Sequence, residues 1–147
     1  MVFGDNSSVN KELLEARFRE INDASQMLRE LLMKGFHSLS FHEKLSMRYL
    51  IIQAVEASSS ICLHILYGVY DERAEGFPQC FDRLGQKGII PSHLASELAS
   101  SARLRNLLVH RYWEIDDEKV FKSLEENLED FEKFISHIRW FMERGRR

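Results

Sequence analysis

Apolar residues recur every three or four positions along most of this chain, and almost nothing interrupts them: 147 residues contain two prolines and seven glycines. So few breakers leave few places to turn, which predicts long helices with short connections and no strand alternation. The first helix is expected over about Val9 to Lys34, where Leu13, Leu14, Phe18, Ile21, Met27, Leu28, Leu31 and Leu32 keep helical spacing. Gly35 would close it as a left-handed cap. Ser40-Phe41-His42-Glu43 has the form of a capping box, in which serine and glutamate satisfy free backbone donors at a helix start. The second helix continues from there to about Tyr70, through Leu45, Tyr49, Ile52, Val55, Ile61, Ile65 and Leu66. A short third helix fits Pro78 to Gln86, with proline tolerated in the first turn, before the Gly85 to Gly88 region turns the chain. The fourth starts near Pro91-Ser92 and carries Leu94, Leu98, Leu104, Leu107 and Leu108. Asp116, Asp117 and Glu118 set negative charge at the start of the fifth, where the helix dipole favours it. Val120, Phe121, Leu124, Leu128, Phe131, Phe134, Ile135 and Ile138 then form its buried stripe, up to Gly145. Five amphipathic helices with short connections predict an all-α, up-and-down helical bundle, residues 1–147 forming a single domain.

Bulk properties restrict the function classes. A formal charge of −3 gives the whole molecule no attractive field for nucleic acid, so RNA binding would need a local basic cleft. The basic tail Arg144-Gly145-Arg146-Arg147 reads first as a solvated helix end that favours positive charge. Met1 to Ser8 lacks the basic and apolar blocks of a signal peptide, and no apolar run approaches the roughly 20 residues that cross a bilayer. The expectation is a cytoplasmic protein with no membrane partner. Cys62 and Cys80 have neither C-x-x-C nor metal-ligand spacing, so they are expected as two reduced, buried thiols.

One polar interruption stands out in this scaffold. Arg105-Asn106-Leu107-Leu108-Val109-His110-Arg111-Tyr112 places arginine, histidine and tyrosine in the order R-x-x-x-x-H-x-Y at the end of the fourth helix. On an ideal helix Arg105 and Tyr112 would be neighbours, as would Asn106 and His110, whereas Arg105 and His110 diverge by about 140°. A long arginine can still reach round to share a phosphate with the imidazole. Such a pair suits cleavage of RNA without a metal. Histidine can take the proton of the attacking 2′-hydroxyl or protonate the leaving 5′-oxygen, and a fixed guanidinium can bind the charge that builds on the phosphoryl oxygens. Asn106 could orient the imidazole or contact phosphate, and Tyr112 could hold substrate or be modified.

This run, followed by Ile115-Asp116, resembles the signature of HEPN-domain proteins of the HepT-like toxin family. The resemblance covers roughly Leu45 to Ile138 and includes Arg48, Gln53-Ala54-Val55-Glu56, His64-Ile65, Phe81-Asp82-Arg83-Leu84 and Gly88-Ile89-Ile90-Pro91 before Leu94. It implies a HEPN-like, all-helical homodimer with the motifs facing each other across a cleft. It also implies a metal-independent endoribonuclease acting on RNA (tRNA or mRNA), the toxin of a type VII toxin–antitoxin system. The implied partner is an MNT-type nucleotidyltransferase antitoxin that adds AMP to the motif tyrosine. Carried over by residue, Arg105 and His110 are the catalytic pair, Asn106 their polar neighbour and Tyr112 the AMP acceptor. Arg111 fills the variable position between histidine and tyrosine, where its charge could aid binding of RNA or of the AMP phosphate. No cofactor or metal ligand is implied, and the first helix is less clearly covered.

Two other classes compete. One is a catalytically silent, nucleotide-binding helical module that docks onto a nucleotidyltransferase. The other is a plain dimeric helical adaptor. The intact arginine–histidine motif counts against both.

Overall fold

The computed structural model describes residues 8–144, and every regular element among them is helical. Six α-helices follow in chain order: α1 Lys11–Lys34, α2 Phe41–Tyr70, α3 Phe77–Gln86, α4 Ser92–His110, α5 Asp117–Asn127 and α6 Glu129–Arg144. Single 3-10 turns at Phe36–Ser38 and Tyr112–Glu114 lie between them. The ion pairs fix the packing directions. Arg17 of α1 reaches Ser60 of α2, whereas Lys34 near the other end of α1 pairs with Glu43, so the two helices run antiparallel. Arg139–Glu15 and Arg29–Glu132 set α6 antiparallel to α1 in the same way. The expected up-and-down bundle is therefore present.

Helix α2 is the central post. Its side chains are buried on several faces, from Met47 through Ala54, Ile61 and Ile65 to Val69, and it packs against α1, α3, α4 and α6. A helix buried nearly all round must be apolar nearly all round. That corrects the expectation about apolar runs: α2 is long and apolar enough to cross a bilayer, but most of that stretch is inside the bundle.

The helix ends follow local chemistry. Ser40 and Glu43 form both halves of the capping box, Ser40 Oγ accepting from Glu43 N at 3.1 Å and Glu43 Oε1 accepting from Ser40 N at 3.0 Å. At α1 the cap is Asn10, whose side chain accepts from Leu13 N at 3.1 Å, while its own N–H donates to His64 Nε2 at 2.9 Å. His64 thereby ties the start of α1 to α2. Gly35 does carry positive φ, but its ψ of 146° lies outside the left-handed helical cap conformation. Gly85 is required for packing: a Cβ there would meet the Ala95 Cβ at 2.6 Å, so α3 and α4 could not approach as they do.

Three further expectations need correction. The fifth helix is two helices, broken at Leu128. Leu128 keeps helical dihedrals and its N–H still reaches Leu124 O, but Phe131 N bonds to Leu128 O at 3.3 Å, a three-residue step that tightens the turn. No glycine or proline marks the place, and the apolar spacing runs on unchanged. The two cysteines are not separate thiols: Cys62 of α2 and Cys80 of α3 are joined by a disulfide, both fully buried where the helices pack. Sequence spacing gives no hint of this because the pairing depends on how α3 lies on α2. The third helix begins one residue early, at Phe77. Gly145, and the basic tail beyond Arg144, fall outside the described residues.

Just after the break, Asp130 is largely buried, and its Oδ2 has no hydrogen-bond partner among the described residues. Desolvation, then the nearby Glu97 and Glu129, push its carboxyl above the ordinary aspartate range, opposed by Lys133 and His93. A raised folded-state value means that the folded chain holds this proton more tightly than the unfolded one. Stability is then lost as pH rises from the unfolded aspartate value, about 4, through the raised folded one. Asp130→Asn is expected to raise the Tm at pH 7, with the gain vanishing below about pH 4, where aspartate is protonated in both states. Thermal melts of both proteins across pH 3 to 8 check it.

Candidate functional site

The end of α4 and the turn after it bring the motif to the surface. Leu108 is buried in the core and anchors this end of the helix, while His110, Arg111 and Tyr112 are exposed. The helix stops at His110. Arg111 leaves helical dihedrals at φ −137°, ψ 42°, though its N–H still reaches Leu107 O at 2.8 Å. Tyr112 therefore starts the 3-10 turn, so the expected one-face neighbourhood of Arg105 and Tyr112 does not hold: the helix does not persist across the seven residues. Asn106 and His110 do lie on one continuous helix, but the Asn106 carboxamide turns to Arg105 instead.

Arg105 is held on three sides. Its Nε and Nη2 donate to Glu56 Oε2 at 3.1 and 2.6 Å, its Nη1 donates to Asn106 Oδ1 at 3.0 Å, and its guanidinium lies 4.9 Å from the centre of the Phe77 ring. Three of its five N–H groups are thus engaged, and the planar head is fixed against α2 and α3 rather than trailing in solvent. Such a fixed cation is preorganised for a phosphoryl oxygen, because little rotamer freedom is left to lose on binding.

A second arginine anchors the other end of the motif. Arg48 of α2 donates Nε and Nη2 to the two carboxylate oxygens of Asp117 at 2.7 and 2.9 Å, and Nη1 to the Tyr112 carbonyl at 3.0 Å. The bond with Asp117 lifts the Arg48 pKa above its ordinary value, so its charge is permanent. Glu56 and Arg48 are eight residues apart on α2, about 12 Å at the helical rise. One face of α2 thus carries two fixed points, one for each end of the motif.

Arg48 and Glu56 lie within the family resemblance, which implies no role for them. A signal was there for Glu56: between Tyr49 and Tyr70 it is the sole Asp, Glu, Lys or Arg in an apolar helix. Nothing local marks Phe77 or Asp117. Among the described residues no three or more His, Cys, Asp or Glu side chains gather in a way that could hold a metal ion.

The family model described as "Ribonuclease HepT-like" matches residues 19–138, most of the chain. The chain belongs to that family. The match starts inside α1, so much of the first helix belongs to the HepT-like unit. The chain is 29% identical over 103 residues to the tRNA nuclease HepT of Aphanizomenon flos-aquae, 70% of each chain being covered. It is 28% identical over 103 residues to the mRNA nuclease HepT of Shewanella oneidensis, covering 67% of this chain and 77% of that one. Among solved structures, the tri-AMPylated Shewanella oneidensis HEPN toxin in complex with MNT antitoxin superposes with a TM-score of 0.79 at 23% identity, covering 86% of this chain and 96% of that one. This last likeness shows that the HepT-like chain has the HEPN fold.

The two arginine clamps differ in what they hold. Arg48 and Asp117 are mostly buried, so Arg48→Ala leaves a carboxylate and a carbonyl without partners and is expected to cost about 2 kcal/mol. Glu56 is exposed, so Glu56→Gln is expected to change stability by less than about 1 kcal/mol. Urea unfolding of both variants separates them, and equal costs would show that Glu56 holds the fold and not only Arg105.

Proposed function

We propose that this HepT-like chain is the toxin of a toxin–antitoxin pair, a metal-independent endoribonuclease that cleaves tRNA or mRNA through Arg105 and His110. The observation that carries this reading is the arrangement at the end of α4: a guanidinium fixed by Glu56, Asn106 and Phe77, with an exposed imidazole at the helix terminus. Arg105 binds the phosphoryl oxygens as their charge grows, and His110 moves the proton between the 2′-hydroxyl and the leaving oxygen. Asn106 helps to hold the guanidinium through its carboxamide oxygen, and Arg111 adds a cation beside the scissile phosphate. Between them these side chains perform the charge stabilisation and proton transfer that a nuclease needs. The names of the two curated nuclease relatives support the reading.

Homodimer formation completes the site. Leu107 and Val109 within the motif, and Phe41, Leu45 and Tyr49 on α2, leave large apolar side chains exposed, surface that a second copy would cover. Facing copies would set two such ends across one cleft. The antitoxin is an MNT-type nucleotidyltransferase that transfers AMP to the Tyr112 hydroxyl. That side chain is exposed while its backbone is pinned by Arg48, which suits an acceptor that must enter a second active site. A nuclease that acts on the cell's own transcripts works in the cytoplasm, where they are.

The test is cleavage of labelled tRNA and mRNA in EDTA by unmodified protein, beside Arg105→Ala and His110→Ala. Wild type is expected to leave 2′,3′-cyclic phosphate ends, and each variant to lose at least a hundredfold in rate, on the order of a full general acid–base contribution. No cleavage by a wild type confirmed free of AMP would move the reading to the silent nucleotide-binding module. Tyr112→Phe is expected to cleave RNA and to take up no AMP from ATP and the nucleotidyltransferase, as read by intact mass. Undiminished AMP uptake by that variant would remove Tyr112 as the acceptor.

A further inference from the structure

Trp113 is left unexplained by the fold and by the chemistry above. The residue is 68% exposed, and it sits one position beyond Tyr112, itself 60% exposed. The two rings meet edge to face, with centres 5.2 Å apart and planes at 83°. The chain's other tryptophan, Trp140, is also exposed, but the Arg144 guanidinium covers it at 4.4 Å. Water meets most of the Trp113 ring.

The turn that displays this ring is rigid. Glu114 N bonds to Arg111 O at 2.9 Å, Arg48 clamps the Tyr112 carbonyl, Ile115 packs against the core, and Asp116 caps α5 by accepting from Glu118 N at 3.1 Å. A large aromatic surface held open on an anchored turn is preorganised for a flat partner. Its neighbours are charged: Arg111 and Glu114 flank it, both well exposed and 3.6 Å apart, with His110 just before. Aromatic residues and arginine are enriched at protein–protein interfaces too, but glutamate is depleted there, and Glu114 sits in this turn. Aromatic rings beside cations are instead the usual platform for single-stranded nucleic acid, because every base has a π-face to stack.

We propose that Trp113 is a nucleobase-stacking platform, buttressed by Tyr112 and flanked by the Arg111 cation. This rests on the ribonuclease reading for its natural ligand, a base of the RNA strand next to the bond cleaved at His110. The adenine of an AMP placed on Tyr112 offers the same chemistry, and the two sources are separated by experiment.

The full-length protein with Trp140→Phe leaves Trp113 as its sole tryptophan. Its fluorescence is followed while a 2′-O-methyl single-stranded oligonucleotide, which cannot be cleaved, is added, and then a sugar–phosphate strand of equal length without bases. The base-bearing strand is expected to quench Trp113 and the abasic strand to leave it unchanged. Trp113→Ala is expected to bind the labelled base-bearing strand about tenfold more weakly by anisotropy, with its oligomeric state unaltered in sedimentation. Protein carrying AMP on Tyr112 and no oligonucleotide identifies the second source: quenching there adds adenine as a ligand of the same platform, and its absence assigns the platform to RNA. Equal quenching by both strands, unchanged affinity, or a dimer that falls apart in Trp113→Ala overturns the proposal, the last making Trp113 an interface residue. These readouts need no turnover, so they stand apart from the reading they rest on. Loss of cleavage in His110→Ala with unchanged binding in Trp113→Ala sinks only the platform. Quenching with no cleavage by wild type sinks only the ribonuclease.

Discussion

Everything in this molecule depends on the burial of α2. An apolar helix enclosed by α1, α3, α4 and α6 keeps few charged side chains, and four of its polar residues make contacts that place other elements. Arg48 reaches the Tyr112 turn, Glu56 the Arg105 guanidinium, Cys62 the α3 cysteine, and His64 the first backbone donor ahead of α1. Four residues on one helix therefore set the positions of the N-terminal helix, the short third helix and both ends of the motif. The hydrophobic drive that buries the post makes these polar contacts geometrically reliable, since a helix that cannot rotate presents its side chains at fixed points.

The motif itself is divided between rigidity and exposure. Arg105 is restrained from three directions, which the proposed binding of phosphoryl charge would use. His110, Tyr112 and Trp113 are exposed but sit on backbone tied down by Arg111 N to Leu107 O, Glu114 N to Arg111 O and Arg48 to the Tyr112 carbonyl. Exposure gives a large partner access; anchoring keeps the entropy cost of ordering small. A net charge of −3 is spread over the whole molecule, whereas Arg105, His110 and Arg111 are grouped at one end of α4, where Glu56 and Glu114 pair with the two arginines.

The expectations that the structure overturned are partly local and partly a matter of how helices pack. The split of the last helix leaves apolar spacing intact, so periodicity cannot register it. The disulfide joins cysteines 18 apart whose approach is decided by the packing of α3 on α2. The separation of Arg105 from Tyr112 follows from the helix ending at His110, and Arg48 with Asp117 holds the turn that comes next. The apolar length of α2 was also underread: the helix is long and apolar enough to cross a bilayer, although most of that stretch is buried in the bundle.

By itself the sequence determined the all-helical class, the second to fourth helices to within a residue or two, the Ser40–Glu43 capping box and the one polar segment on which chemistry could be built. These are local properties, written in side-chain period and in hydrogen bonds between residues a few positions apart. Only the tertiary structure decided which charges meet: Glu56 with Arg105 across 49 residues, and Arg48 with Asp117 across 69. Such partners are chosen by the direction in which packed helices point their side chains, and no local pattern carries that information.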